Sequence, residues 1–279
     1  MNNGQASIDG MEIVWKKPET LTDVRQHYCP GCGHGVVHKI LMEVVQDLGI
    51  QDKTVGVAPV GCSVIAYNYL DIDMQEAAHG RATAVATGIK RVLPDRMVFT
   101  YQGDGDLAAI GTAETMHSCN RGENFLIIFI NNAIYGMTGG QMAPTSPVGM
   151  VTSTTPEGRQ VPTQGHPFKI TELAAMLPGT HYVTRQSVHT PAAVRFLKKA
   201  VEKAFRYQMD RKGTCLIEVV SNCPSGWKMT PVEANRWLEK NMFPLFPPGD
   251  LKVDGKLVEK KPAPSVSQPE KKTQEVVPV

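Results

Sequence analysis

The 279-residue sequence holds no run of 18 apolar residues, so no membrane-spanning helix is expected. Its N-terminus lacks the basic stretch and apolar core of a secretory signal, which makes the cytoplasm the expected compartment. Charge of one sign is also lacking. With 29 Lys and Arg against 27 Asp and Glu the net charge is only +2, and the basic residues are scattered rather than striped, so no nucleic-acid partner is expected. No internal repeat is present. Cysteines are few: Cys29, Cys32, Cys62, Cys119, Cys215 and Cys223. In a reducing compartment they point to ligand or core roles rather than to disulfides.

What is present suits a globular fold. With 42% hydrophobic residues the chain can bury a core for one large α/β domain or two small ones. Apolar periodicity predicts helices at Val36–Leu48, Ala82–Leu93, Leu107–Asn120, Ile170–Leu177, Pro191–Asp210 and Val232–Asn241. Strands are expected at Lys53–Pro59, Arg96–Tyr101, Phe125–Ile130, Tyr182–Arg185 and Thr214–Ser221, while residues 60–79 read as irregular. The apolar strand Phe125–Ile130 has no alternation, as in a parallel sheet covered on both faces. The fold class is therefore α/β, a parallel sheet with helices on both faces. The Gly-, Pro- and Thr-rich stretch 133–167 is a long loop of the functional or mobile kind. Residues 1–20 read as an N-terminal arm, 21–243 as the domain, and 244–279 as a tail. Proline and the charged clusters Lys256–Lys261 and Glu270–Lys272 predict little order in that tail, or contact with a partner.

Two constellations carry chemistry. The strand Arg96–Tyr101 runs into Gln102-Gly103-Asp104-Gly105-Asp106, and a helix follows. Glycines at a strand end before a helix let backbone amides approach a phosphate. The pattern also fits a dinucleotide turn, but Asp104 would then face a bare pyrophosphate. A carboxylate there makes sense if a cation mediates. The next strand ends in Asn131-Asn132 rather than in a ribose-binding acid. A carboxylate, an amide oxygen from the adjacent strand end and a nearby carbonyl form a set of hard oxygen ligands for Mg²⁺. The second constellation is Cys29-Pro-Gly-Cys32-Gly, with Gly61-Cys62-Ser63 and Asn222-Cys223-Pro224 in loop-like settings. Four such thiolates could bind zinc or a [4Fe–4S] cluster, and the adjacent glycines, with amides free to bond sulfides, favour iron–sulfur. Cys119 and Cys215 sit within periodic elements and read as core.

Gly-Asp-Gly followed about thirty residues on by Asn-Asn resembles the thiamine-diphosphate enzymes. Together with Cys29-Pro-Gly-Cys32-Gly-His34-Gly, Gly61-Cys62-Ser63, His79-Gly-Arg81, Asn131-Asn-Ala-Ile-Tyr-Gly-Met-Thr-Gly-Gly-Gln141 and Asn222-Cys223-Pro it resembles one family. That family is the thiamine-diphosphate (β) subunits of 2-oxoacid:ferredoxin oxidoreductases, of the 2-oxoisovalerate or 2-oxoglutarate type. The resemblance spans residues 20–240. It implies thiamine diphosphate, with Mg²⁺ on Asp104, Asn132 and the Ile134 carbonyl. Gly103, Gly105, Asp106 and Asn131 would lie along the cofactor, and Ser63, His79 and Arg81 near it. Cys29, Cys32, Cys62 and Cys223 would hold a [4Fe–4S] cluster. The implied activity is coenzyme A-dependent oxidative decarboxylation of a 2-oxoacid, with electrons passing to ferredoxin. Some relatives carry Lys three residues after the third cysteine, where it meets the substrate carboxylate. Here that position is Ile65, so Ile65 and Met137 become substrate-pocket candidates, and no catalytic side chain is certain. The resemblance also implies an α subunit bringing the pyrimidine-binding domain, for which this chain has no room, with γ and ferredoxin-like δ subunits as further partners. The alternatives are a non-oxidative thiamine-diphosphate decarboxylase or synthase, and a dinucleotide-binding module with structural zinc.

Overall fold

The computed structural model describes Val14 and residues 16–259. The first helix, α1 (His34–Asp47), leaves the cysteine-bearing turn at Gly33 and leads through a 3₁₀ turn to strand β1 (Thr54–Pro59). Strand β2 (Asp73–Ala77) and helix α2 (Ala82–Val92) follow, then β3 (Met97–Gly103), a π-helical turn (Asp106–Ile110) and α3 (Thr112–Arg121). Strand β4 (Leu126–Asn131) opens into the long connection. That connection carries a small hairpin of β5 (Ile134–Tyr135) and β6 (Gln141–Met142) and the short helix α4 (Val161–Gln164). Helix α5 (Ile170–Met176), strand β7 (Thr180–Ser187), α6 (Pro191–Met209) and β8 (Thr214–Val220) complete the layered unit. Short helices α7 (Pro224–Trp227) and α8 (Pro231–Trp237), a second π turn (Leu238–Met242) and strands β9 (Gly249–Val253) and β10 (Lys256–Leu257) close the described chain.

Eight strands form one sheet in the order β10-β9-β7-β8-β4-β3-β1-β2. The six from β7 to β2 are parallel, and β9 and β10 join antiparallel at one edge. Alternation along the strands divides the core. Leu126, Ile128 and Ile130 of β4 pack with Tyr101, Ile217 and residues of α1 and α6 on one face. Phe125, Ile127 and Phe129 pack with residues of α2, α3 and α5 on the other. A third cluster joins Ala133 and Ile134 to Cys223, Trp227, Leu238 and Phe246 beyond the strand ends. Cys119 and Cys215 are fully buried in the core.

The expected α/β class holds, with three differences. Residues 60–79 are not wholly irregular: β2 pairs with β1, and its polar sequence fits an exposed sheet edge. The stretch expected as one helix from Leu107 to Asn120 opens with the π turn, closed by Gly111 N–H to the Asp106 carbonyl at 2.8 Å. The tail is ordered over 249–257. Asp254 and Gly255 both have positive φ (51° and 73°), the geometry of a tight hairpin turn, and β9 pairs with β7. Residues 1–13, 15 and 260–279 of the expected arm and tail lie outside the described residues.

Candidate active site

The carboxyl ends of β1, β3 and β4 open on a cavity of about 130 Å³. Its wall includes Gly61, Cys62, Ser63, His79, Gly103, Asp104, Gly105, Asp106, Asn132, Ile134 and Met137. Such a position beyond the strand ends is where open parallel sheets bind ligands.

Asp104 sits at its centre, 4% exposed. One carboxylate oxygen accepts from the Gly105 N–H at 2.9 Å; the other accepts from the Ile134 N–H and from Thr145 Oγ1, both at 3.2 Å. The Ile134 N–H also reaches Asn132 Oδ1 at 3.4 Å. Oxygens of Asp104 and Asn132 thus converge on one amide. Ala133, between the two remaining ligand candidates, has φ 61°, a left-handed conformation a non-glycine residue adopts at a cost. Trp227 Nε1 donates to the Asn132 carbonyl at 3.0 Å and pins the turn from outside. No cation faces Asp104 among its hydrogen-bond partners, and burial pushes its carboxyl up to about 7 against the donors at Gly105 and Thr145. A buried carboxylate with convergent oxygens and no counter-charge is a candidate receptor for a cation. Gly105 is required by packing: a Cβ there would lie 2.7 Å from the Tyr135 ring.

Asp106 lines the cavity, but its carboxylate is turned to protein donors. It accepts from His79 Nδ1 at 2.8 Å, from the Gly80 N–H, and from Gln102 Nε2 at 2.6 Å. Burial raises its carboxyl, and the same donors oppose that rise. The His79–Gly80 turn is thereby fixed against the π turn, where a Cβ on Gly80 (φ 77°) would meet Gly111 N at 2.8 Å. A π turn at this point re-aims the start of the helix, as such turns do at ligand sites.

Three expected site residues are drawn elsewhere. Asn131 is fully buried and follows the strand alternation to the α2/α3/α5 face, where its amide donates to Glu218 at 2.7 Å instead of lining the cavity. Arg81 pairs with Glu114 at 2.8 Å, outside the cavity wall. Ile65 packs against the α1/α6 core cluster and does not line the cavity; the 3₁₀ turn that follows it (Ala66–Asn68) carries it inward. Met137 does line the cavity and is 58% exposed. Ser63 lines it too, with its hydroxyl on the Tyr101 carbonyl at 3.1 Å.

The four loop cysteines lie within electrostatic reach of one another. Burial pushes Cys32 up to about 11, with Cys62 and Cys29 adding to the rise while the Gly33 and His34 N–H groups donate to its sulfur. Cys62 is raised by burial, then by Cys29 and Asp104, and its sulfur accepts from the Met137 N–H. Cys223 is pushed up to about 12 by burial, feels Cys32, Cys62 and Asp104, and accepts from the Gly226 N–H. Gly136 and Gly226 flank its sulfur closely: a Cβ on either would lie 2.9 or 2.8 Å from it. Backbone donors aimed at sulfur are what a thiolate-bound centre requires. Among the described residues no three His, Cys, Asp or Glu side chains converge tightly enough to hold one metal ion.

Sequence reasoning missed several supporting residues. Arg159 is buried in the long connection, and its guanidinium donates to six carbonyls, among them Pro144, Ser146 and Gly165 at 2.8, 2.6 and 3.0 Å. It thereby organises the segment that brings Thr145 to Asp104. His34 lines the cavity, and burial lowers its imidazole to about 4. No spacing in the sequence announces Arg159, although an arginine within a Gly- and Pro-rich loop is a candidate organiser.

Among the described residues no helix is long and apolar enough to cross a membrane. A family model described as thiamine pyrophosphate enzyme, C-terminal TPP binding domain, matches residues 59–219. The ketoisovalerate oxidoreductase subunit VorA of Methanothermobacter thermautotrophicus is 44% identical over 244 residues, 84% of this chain and 51% of that protein. The 2-oxoglutarate synthase subunit KorB of Archaeoglobus fulgidus is 38% identical over 214 residues, 77% of this chain and 76% of that one. The chain thus spans about half the length of the VorA relatives. A solved 2-oxoglutarate:ferredoxin oxidoreductase from Magnetococcus marinus, with 2-oxoglutarate, coenzyme A and succinyl-CoA bound, superposes with TM-score 0.66 at 27% identity. The match covers 81% of this chain and 72% of that one. The chain belongs to the thiamine pyrophosphate enzymes with a C-terminal TPP-binding domain, among the subunits of the 2-oxoacid oxidoreductases.

Proposed function

We propose that this chain is the thiamine-diphosphate-binding β subunit of a 2-oxoacid:ferredoxin oxidoreductase, acting in coenzyme A-dependent oxidative decarboxylation. The observation that carries this reading is the shared wall of two sites. Cys62 lines the same cavity as Asp104 and Asn132, and both Cys62 and Cys223 feel the Asp104 charge. A non-oxidative thiamine enzyme has no use for four thiols beside its cofactor cavity. Asp104, Asn132 and the Ile134 carbonyl would hold Mg²⁺, a hard cation that takes oxygen ligands and leaves positions for phosphate. Cys29, Cys32, Cys62 and Cys223 would hold a [4Fe–4S] cluster. When bound, thiamine diphosphate supplies the electron sink for decarboxylation and the cluster a one-electron acceptor.

The chain's own residues then have definite tasks. Asp104 anchors the cation, and Thr145 and the Gly105 N–H orient its oxygens. Asp106 fixes the His79 ring at the cavity rim through Nδ1. Met137, Ile134 and Val60 give the wall an apolar stretch, and no Lys or Arg among the described residues lines it. That lining supports a 2-oxoacid with an apolar side chain, such as 2-oxoisovalerate, over the dicarboxylate 2-oxoglutarate. An α subunit would complete the pocket and bring the pyrimidine-binding domain, with γ and ferredoxin-like δ subunits and ferredoxin itself as further partners.

The test is an activity panel of pyruvate, 2-oxoglutarate and 2-oxoisovalerate on the co-purified complex with coenzyme A and a viologen acceptor, alongside iron and sulfide analysis. The reading expects 2-oxoisovalerate to be preferred and about four irons per β chain, as one cubane cluster requires, beyond any carried by a ferredoxin-like δ subunit. Zinc in place of iron, or turnover by this chain alone, would overturn it.

A further inference from the structure

His34 is buried at the first position of α1, and the site as described gives it no task. Its ring lines the cavity together with Cys62, Ser63 and Met137. Nδ1 lies 2.9 Å from the Tyr101 hydroxyl, and the ring stacks on Tyr28 at 4.8 Å with 15° between planes. His38 packs edge-on against Tyr101 at 4.6 Å.

The proton positions follow from hydrogen-bond accounting. Tyr101 is fully buried at the end of β3, and among the described residues its hydroxyl has no partner other than His34. A phenol with one partner must donate to it, or else a buried donor goes unmade at a cost of about 1–3 kcal/mol. The bond therefore runs from the Tyr101 hydroxyl to His34 Nδ1, and the ring proton sits on Nε2. No described residue bonds Nε2. It is also absent from the sealed, unpartnered side-chain atoms that include His38 Nδ1. Nε2–H is thus a donor that the described residues leave unengaged, on a residue that lines the cavity.

A 2-oxoacid brings only acceptors: a carboxylate and a ketone oxygen. Among the described residues the cavity wall has no Lys or Arg to meet them, the Ser63 hydroxyl is engaged by the Tyr101 carbonyl, His79 Nδ1 by Asp106 and the Thr138 hydroxyl by Gln141, which leaves His34 and Tyr135 among the side-chain donors. We propose that His34 is a substrate-binding residue that donates Nε2–H to the 2-oxoacid carboxylate, with Tyr101 as the positioning residue that sets its tautomer. This rests on the 2-oxoacid reading above.

The test uses the co-purified complex. Calorimetry with N-isopropyl oxamate, an unreactive 2-oxoacid isostere, reads binding, and steady-state kinetics read KM and kcat separately. His34→Phe keeps the stacking shape and removes the donor. It is expected to weaken oxamate binding and raise the 2-oxoacid KM by about 10- to 100-fold, the loss of one hydrogen bond to a charged group. Thiamine diphosphate affinity stays at the wild-type value, while the thermal midpoint falls because the buried Tyr101 hydroxyl loses its one partner, a loss the double variant relieves. His34→Gln, which carries an N–H donor, recovers most of the loss. Tyr101→Phe falls between, and the double variant His34→Phe/Tyr101→Phe is no worse than His34→Phe alone, since both act through one hydrogen bond. Wild-type oxamate binding in His34→Phe, or losses that multiply in the double variant, would overturn the proposal. A wild-type complex that neither binds oxamate nor oxidises any 2-oxoacid would instead remove the functional reading itself.

Discussion

Two buried polar sites lie within a few residues of each other and are built on opposite principles. On the α2/α3/α5 face, Arg185 is fully buried between Glu218 at 2.6 Å and Glu172 at 2.8 Å, Asn131 donates to Glu218, and Phe246 lies 5.4 Å from the guanidinium. Both carboxylates there share the one guanidinium as counter-charge. At the strand ends, Asp104 is as well buried but has only neutral donors. A compensated network is part of the scaffold. An uncompensated buried carboxylate is what the proposed cation site requires, since a ligand can bring the missing charge.

The sharpest way to break this contrast is to remove one charge from each site. Arg185→Met leaves Glu218 buried without its cation. Urea unfolding of the cofactor-free protein should show a loss of about 3–5 kcal/mol. Asp104→Asn removes a charge that has no protein partner, so the same measurement should move by no more than about 1 kcal/mol, the worth of one hydrogen bond. Equal losses in the two variants would erase the distinction.

A buried cation with no carboxylate bonded to it, though Asp95 acts on it from a distance, offers a third case. Lys90 is buried, with its ammonium on the Arg96 carbonyl at 2.5 Å. Burial lowers it to about 8, and Arg211 adds to the effect. The folded protein therefore binds fewer protons than the unfolded chain between about pH 8 and the ordinary lysine value near 10.4, and this residue's contribution to stability rises with pH across that window. Lys90→Met should remove that rise, as thermal midpoints at pH 7.5 and 10 would show; a rise identical to wild type would contradict it. The smallest expected effect is at Ala133. Glycine there relieves the left-handed strain but adds freedom to the unfolded chain, so Ala133→Gly should gain less than about 1 kcal/mol by urea unfolding.

Much of the site was legible in the sequence because its chemistry is local. Gly103-Asp104-Gly105 and Asn131-Asn132 end adjacent parallel strands, so recognising the strands places Asp104 and Asn132 together. Side-chain direction was not legible at the strand end: alternation sends Asn131 to Glu218 and only Asn132 to the cavity. Ile65 and Arg81 were assigned by position in a motif, and one turn of local geometry carries each away from the wall. Strand β2 was hidden because an edge strand need not be apolar. The β9–β10 hairpin had a readable signal, Asp254-Gly255 between alternating apolar residues, which the surrounding proline and charge obscured. Arg159 depends on carbonyls brought together by a loop path, which no spacing encodes.

The central claim is that Asp104 receives thiamine diphosphate through a divalent cation. Calorimetric titration of thiamine diphosphate into the cofactor-stripped complex, with Mg²⁺ and with EDTA, tests it most directly. Wild-type protein should bind only with Mg²⁺, and Asp104→Asn should lose more than the roughly 10–100-fold that removal of an outer-shell partner costs a metal site. Equal binding in EDTA, or an Asp104→Asn variant that binds like wild type, would contradict the account.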